Sequence, residues 1–324
     1  MIPRWLEGLQ ITTMPPQCAR FVTLLVVAIG VTACTADKKP SSDDTTAAVP
    51  AAVNPPPASF VNTGWQDSIG GPFLMLPVTD NSAAAAIVLP MMNDSTLSRD
   101  STVNADEYVG MSADLFDRSG PAGSVQLSSR TQATAGEGCL AWPVLAFREP
   151  SSRSWQIGLK PGVAVSIPLD SLESMISSDS TFLTAELARL ASALPASNDP
   201  AFQGLPFSVR KAYRTKSGGM TILVGDIVRK INEEANPREE HLLIIAEPNV
   251  SDRSHYATVF HSRAAGSEEV VRTSDVLAAI QFLKNRHAAL LVSFEYENGS
   301  RVAMIERVSP NNWKVTWRSA YTGC

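Results

Sequence analysis

Ser208-Val209-Arg210-Lys211 sets a hydroxyl three residues ahead of an amine. On a helix that spacing stacks the two side chains on one face, where a lysine can activate a serine for acyl transfer. The residues around it alternate polar and apolar as a strand does, which sends positions 208 and 211 to opposite faces. We therefore expect a basic hairpin here and no nucleophile. No Gly-x-Ser-x-Gly turn occurs in the chain, so a hydrolase elbow has no serine to carry.

The four histidines, His241, His255, His261 and His287, all lie in the second half, and none sits in a His-Glu-x-x-His arrangement. His255 and His261 share a strand face but stand about 20 Å apart, too far for one zinc ion. Asp100, Asn104 and Asp106 have acidic spacing without the glycine and closing glutamate of a calcium loop. We expect no metal and no cofactor. Arg210, Lys211, Arg214, Lys216, Arg229 and Lys230 cluster on one hairpin. They form a candidate binding patch for anionic lipid, peptidoglycan carboxylates, another envelope protein or the acidic first half of this chain. The other account is a solvated strand face whose lysines guard a sheet edge. Charge reversal at Arg210, Lys211 and Arg214 should then leave the fold intact.

Asp226 falls between Val224 and Val228, and Glu306 between Met304 and Val308, on otherwise apolar alternations. A buried carboxylate there needs a partner, and a structural ion pair is the expected one. Two function classes follow. The expected one is a non-catalytic binding or assembly module; the alternative is a hydrolase whose carboxylates, Asp226, Glu295 or Glu306 among them, meet only in the fold. Two carboxylates about 5–10 Å apart in a deep pocket would mark the second.

The elements that must position these residues read as short strands split by turns. Strands are expected at 73–77, 83–91, 107–116, 124–131, 139–147, 155–159 and 163–168. A helix capped by Asp170 should run to Ser177. A second, over 182–194, places Leu183, Leu187, Leu190 and Leu194 on one face. Pro195-Ala196-Ser197-Asn198-Asp199-Pro200 then marks a boundary. Strands at 207–216 and 220–231 flank Ser217-Gly218-Gly219, and two more follow at 240–247 and 255–263. Ser274 should cap a helix to Arg286, with Val276, Leu277, Ile280 and Leu283 on its buried face. Strands at 288–296, 301–308 and 312–321 close the chain, the first pair joined by Glu297-Asn298-Gly299-Ser300. The fold class is α+β, mainly β: an antiparallel strand-rich body with a few helices, whose C-terminal half is a meander packed around one helix. The segments are an N-terminal β-rich domain, 60–200, and a C-terminal meander domain, 201–324.

The 324 residues carry a net charge of −5, with 18% charged and 44% apolar residues, a globular balance. An acidic chain has no electrostatic footprint for nucleic acid. The charge is uneven: residues 35–206 hold 9 Lys/Arg against 18 Asp/Glu, and residues 207–324 hold 16 against 13. That imbalance suits two weakly complementary halves.

Arg20 leads into the short apolar run 21–31, then Thr32-Ala33-Cys34. The run is about half the ~20 residues a membrane span needs and has the layout of an export signal. Val31-Thr32-Ala33-Cys34 resembles a bacterial lipobox. The resemblance implies a signal peptide over 1–33, cleavage before Cys34, lipid on that cysteine and an outer-membrane lipoprotein facing the periplasm. Residues 34–59, rich in Ala, Pro, Ser, Thr and Asp, read as a flexible tether. With Cys34 acylated, Cys139 and Cys324 are the thiols left to the exported chain. In an oxidising compartment we expect them to pair.

Overall fold

Five strands of the second half are buried in continuous runs of five or more residues, and that double burial sets the architecture. The computed structural model describes residues 73–75, 84–88, 105–131, 142, 144–148, 154–249, 252 and 255–323. The expected leader, Cys34, the tether 34–59, Cys139 and Cys324 lie outside the described residues.

Six strands come first: β1 Phe73–Met75, β2 Ala84–Val88, β3 Ser112–Phe116, β4 Pro121–Thr131, β5 Val144–Phe147 and β6 Ile157–Leu159. They close into a barrel in the order β1-β2-β5-β4-β3-β6, with β1 pairing β6. Next come β7 Ala164–Ile167, β8 Asp170–Ser171 and the helix α1 Ser177–Ala193. The remaining strands are β9 Ser208–Ser217, β10 Met220–Ile231, β11 Arg238–Pro248, β12 Tyr256–Ser267, β13 Thr273–Phe282, β14 Ala288–Tyr296, β15 Gly299–Ser309, β16 Asn312–Arg318 and β17 Thr322–Gly323. One sheet runs β12-β11-β10-β9-β8 and the other β16-β15-β14-β13-β7, with β17 on β15. Every pairing is antiparallel, so the second half is a double meander.

The layers stack as barrel, six-stranded sheet, five-stranded sheet and helix. Leu277, Ala278, Ile280, Leu291 and Met304 pack on barrel residues such as Leu115, Leu127 and Trp155. Val276, Ala279, Leu290, Val292 and Ile305 face the other way, onto Ile222, Val224, Leu243 and Ile245. Leu223, Ile227, Leu242 and Ile244 receive Leu183, Leu187 and Leu190 of α1. The helix lies flat because Gly225 leaves room: a Cβ there would come within 2.8 Å of Leu187 Cδ1. Gly218 and Gly219, at φ 58° and 79°, form the two-residue turn between β9 and β10, a backbone that L side chains disfavour.

Two expectations are corrected. The helix expected over 274–286 is strand β13, which pairs β7 on one side and β14 on the other. Its two faces are both covered by protein, so polar alternation is absent, and its apolar run is what a strand between two layers requires. A bulge between Val276 and Ala278 also shifts the parity. Leu277, Ala278 and Ile280 thereby share one face and Val276 and Ala279 the other, a spacing that imitates a helix. Ser274 is buried against Asp226 rather than capping anything. The helix expected from Asp170 to Ser177 is instead the pair β8 and a 3₁₀ turn, Leu172–Ser174. Asp179, in the first turn of α1, accepts from Arg214.

The helix on which the meander packs is therefore α1, contributed from before position 200. Likewise β7 completes the six-stranded sheet and β8 the five-stranded one, so segments 60–200 and 201–324 share both sheets. Phe73 to Gly323 belong to one compact unit. Among the described residues no helix is long and apolar enough to cross a membrane.

Candidate functional site

Strand β11 organises the charged interior. Its residues 239, 241, 243, 245 and 247 face the six-stranded sheet, and 240, 242, 244 and 246 face α1. The first row has an aliphatic middle and charged ends, and the second is charged only at Glu240. At one end of the first row, Asp226 of β10 meets His241, whose Nδ1 lies 3.4 Å from Asp226 Oδ1 and whose Nε2 lies 2.7 Å from Glu239 Oε2. Arg210 donates to Asp226 through Nε at 3.0 Å, and Ser274 Oγ donates to the same carboxylate at 3.2 Å. Lys230 pairs with Glu239.

Arg210 reaches inward because the β9–β10 ladder slips between Asp226 and Ile227: Lys211 pairs Asp226, Val209 pairs Ile227, and Arg210 is the extra residue. Burial pushes the Asp226 carboxyl up, but the His241 and Arg210 bonds outweigh it and hold it below the usual carboxylate range. Glu239 is held low in the same way, against burial, by Lys230 and His241. Burial pushes His241 down, and its two carboxylate bonds more than reverse that. The order Ser274–Asp226–His241–Glu239 is not that of a nucleophile: the hydroxyl bonds a carboxylate, not the imidazole, and all four groups are buried.

The six cations of the expected basic patch do not form one surface. Arg210 is tied to Asp226 and Lys211 to Asp275 at 2.7 Å. Arg214 pairs with Asp179 at 2.7 Å and Asp170 at 3.6 Å. Arg229 is buried on the α1 side, 2.5 Å from Glu240 Oε2 and 4.5 Å over the Phe207 ring. Lys230 is held by Glu239, which leaves Lys216 as the exposed member with no ion pair among the described residues. Ser208 Oγ donates to the Val228 carbonyl, away from Lys211.

Glu295 and Glu306 of the hydrolase alternative are placed apart as well, and Asp226 is taken up by Arg210, His241 and Ser274. Glu306 sits opposite Ala289, six residues along β14 from Glu295, a span of about 20 Å. Glu306 is 2.6 Å from His287 Nδ1, and Glu295 accepts from Ser293 Oγ. His255 lies near Asp252 at 3.6 Å, and His261 is exposed. Among the described residues no group of three His, Cys, Asp or Glu could hold a metal ion.

One pocket, of about 510 Å³, opens between the β3–β4 turn, the 168–174 segment and β9. Arg118 Nη2 donates to Asp275 Oδ2 at 2.6 Å, Lys211 Nζ approaches the same oxygen at 2.7 Å, and Tyr213 Oη donates to Oδ1 at 3.2 Å. Arg118 Nε is anchored on the Val276 carbonyl at 2.7 Å. Its loop is held by Asp117 Oδ1, which accepts from Ser119 N, Ser119 Oγ and Gly120 N. Burial and the Asp275 charge push the Tyr213 phenol up to about 12, so it stays a donor at neutral pH. Sequence reasoning named Lys211 but missed Arg118, Tyr213 and Asp275. More than 150 residues separate Arg118 from Asp275, and only the β3–β4 turn docking on β13 brings them together.

No protein-family model matches the chain, and comparison with curated proteins and with solved structures finds no match.

Proposed function

We propose that this chain is a non-catalytic binding or assembly module of the bacterial cell envelope, anchored by lipid on Cys34 at the periplasmic face of the outer membrane. The partners considered are a small envelope solute, peptidoglycan, another envelope protein or anionic lipid. The observation that carries the reading is the pocket walled by Arg118, Lys211 and Tyr213. Its charged walls are preformed, fixed by ion pairs and by a phenol that stays protonated, and among its described lining residues there is no histidine or cysteine. Such a site is suited to holding a ligand rather than to breaking a bond. The basic hairpin gives less support than its sequence promised, because five of its six cations are already paired.

The test has two arms. Cys34→Ser should abolish lipid labelling and release the chain from membranes after a high-salt wash. The full-length protein in detergent should melt at higher temperature with a ligand drawn from a panel of envelope solutes, since anything bound only by the folded state stabilises it. Lys211→Glu should remove that shift. Steady turnover of ester, amide or glycoside substrates by the purified protein, with no solute raising its melting temperature, would overturn the reading. A Cys139–Cys324 bond belongs to the same proposal: the unreduced, denatured chain should offer neither thiol to an alkylating reagent.

A further inference from the structure

Arg118 Nη2 and Lys211 Nζ both contact one oxygen of Asp275, at 2.6 and 2.7 Å. Two cationic nitrogens are thereby held no farther apart than the sum of those lengths. One carboxylate balances one of the two charges. A lysine ammonium has three N–H donors and a guanidinium five, so both heads keep donors for a ligand after bonding Asp275. The opposite sign is supplied in the same cavity by Glu173, on the 3₁₀ turn, whose charge is felt at the Tyr213 phenol. Asp170, a further carboxylate on the wall, has Arg214 as its own counter-ion.

The balance between these groups selects the ligand. A simple anion meets Glu173 and Asp170 along with the cations, and a simple cation meets Arg118 and Lys211 along with the acids. A molecule carrying both signs finds a complement for each. The apolar part of the wall is short, made of Pro168, Leu169 and Ala212, and Ser119, Ser171 and Ser174 rim it with hydroxyls. A volume near 510 Å³ falls at the small end of ligand sites, ample for one or two residues of a peptide.

We infer that this pocket binds a small zwitterion of the amino-acid class, with the carboxylate on Arg118 and Lys211 and the ammonium toward Glu173. The inference rests on the binding reading above and narrows it to a ligand class. The Asp275–Tyr213 bond holds the cation pair in place from beneath, so Asp275 and Tyr213 are positioning residues.

The test titrates the full-length protein in detergent with L-alanine and L-alanyl-L-alanine, and with propionate and propylamine as the two half-ligands. A zwitterion should bind saturably at millimolar concentration, at least about tenfold tighter than either half-ligand. Glu173→Gln and Lys211→Met should each weaken it by about tenfold, while Lys216→Met leaves it unchanged. Glu173 is exposed, so its variant stays informative even if Lys211→Met melts early. Three results would overturn the inference: no saturable zwitterion binding, propionate binding as well as alanine, or an unaltered Glu173→Gln variant. If zwitterions fail but another solute gives a Lys211-dependent melting shift, the ligand class falls and the binding module stands. If no solute does so and the protein hydrolyses a substrate, both fall.

Discussion

Trp313 donates its indole N–H to Oε1 of Glu247 at 2.6 Å, a bond that crosses from one sheet of the body to the other. Arg307 adds two more bonds to the same carboxylate, at 2.6 and 2.9 Å, and the Asn311 amide a fourth at 3.2 Å. Burial pushes Glu247 up, yet Arg307 and Trp313 together hold it below the usual range. Glu247→Ala removes the shared acceptor and leaves Arg307 and the indole N–H unmatched. We expect a loss of about 3–5 kcal/mol, read from the urea midpoint. A loss below about 1 kcal/mol would mean the bonds are replaced by water at no net cost.

Arg210 and Lys216 sit six residues apart on one strand but should respond oppositely to charge reversal. Arg210→Glu sets a carboxylate against Asp226, with Glu239 already in the same network. The substitution is therefore destabilising, where the sequence alone suggests a silent surface change. With the Arg210 side chain 32% exposed, some of the penalty is screened, and about 2–4 kcal/mol is expected. Lys216→Glu on the solvent face should stay within about 0.5 kcal/mol. Equal effects for the two substitutions would contradict the bulge geometry.

The His241 network predicts a window of stability in pH. His241 has a raised pKa in the folded state, so its contribution is complete below its ordinary value of about 6.5 and fades as pH rises through the raised one. Asp226 and Glu239 have lowered values, so theirs is complete above about 4 and is lost on acidification. Lys230, raised by its bond to Glu239, keeps its charge across this range. The chain should be most stable between the two limits, and the alkaline decline should vanish in His241→Gln. Urea midpoints measured from about pH 5 to about pH 9 test this; an unchanged alkaline limb in the variant would assign it to another group.

Leu187 is the contact between α1 and Gly225 and is fully buried. Leu187→Ala should cost about 2–5 kcal/mol and loosen the helix first. Hydrogen exchange should show α1 amides losing protection before those of β10 and β11.

The parts of the fold that could be read from the sequence are those with one wet face or a committed turn. Gly218-Gly219 announces its hairpin, and Trp313 and Trp317 alternate with polar neighbours, as a strand packed on one side must. What escaped is what two protein layers cover. Between Val276 and Ile280 nothing polar marks a face, and the bulge removes the parity that remained. Asp226 was flagged because a lone acid among valines must find a partner, and Arg210 is that partner. The pocket walled by Arg118, Lys211 and Tyr213 gave no such signal. Arg118, Lys211 and Asp275 each look like ordinary surface charges until three distant segments converge.

Strand β7 finds its partner β13 more than a hundred residues later in the chain, and β8 must likewise wait for β9. The six-stranded sheet cannot be completed before the last meander has arrived. Contacts so distant are slow to form, because the loop must close before any of them is rewarded. The six-stranded sheet therefore stays open, with β7 unmatched, until the last meander arrives to receive the strand that went ahead.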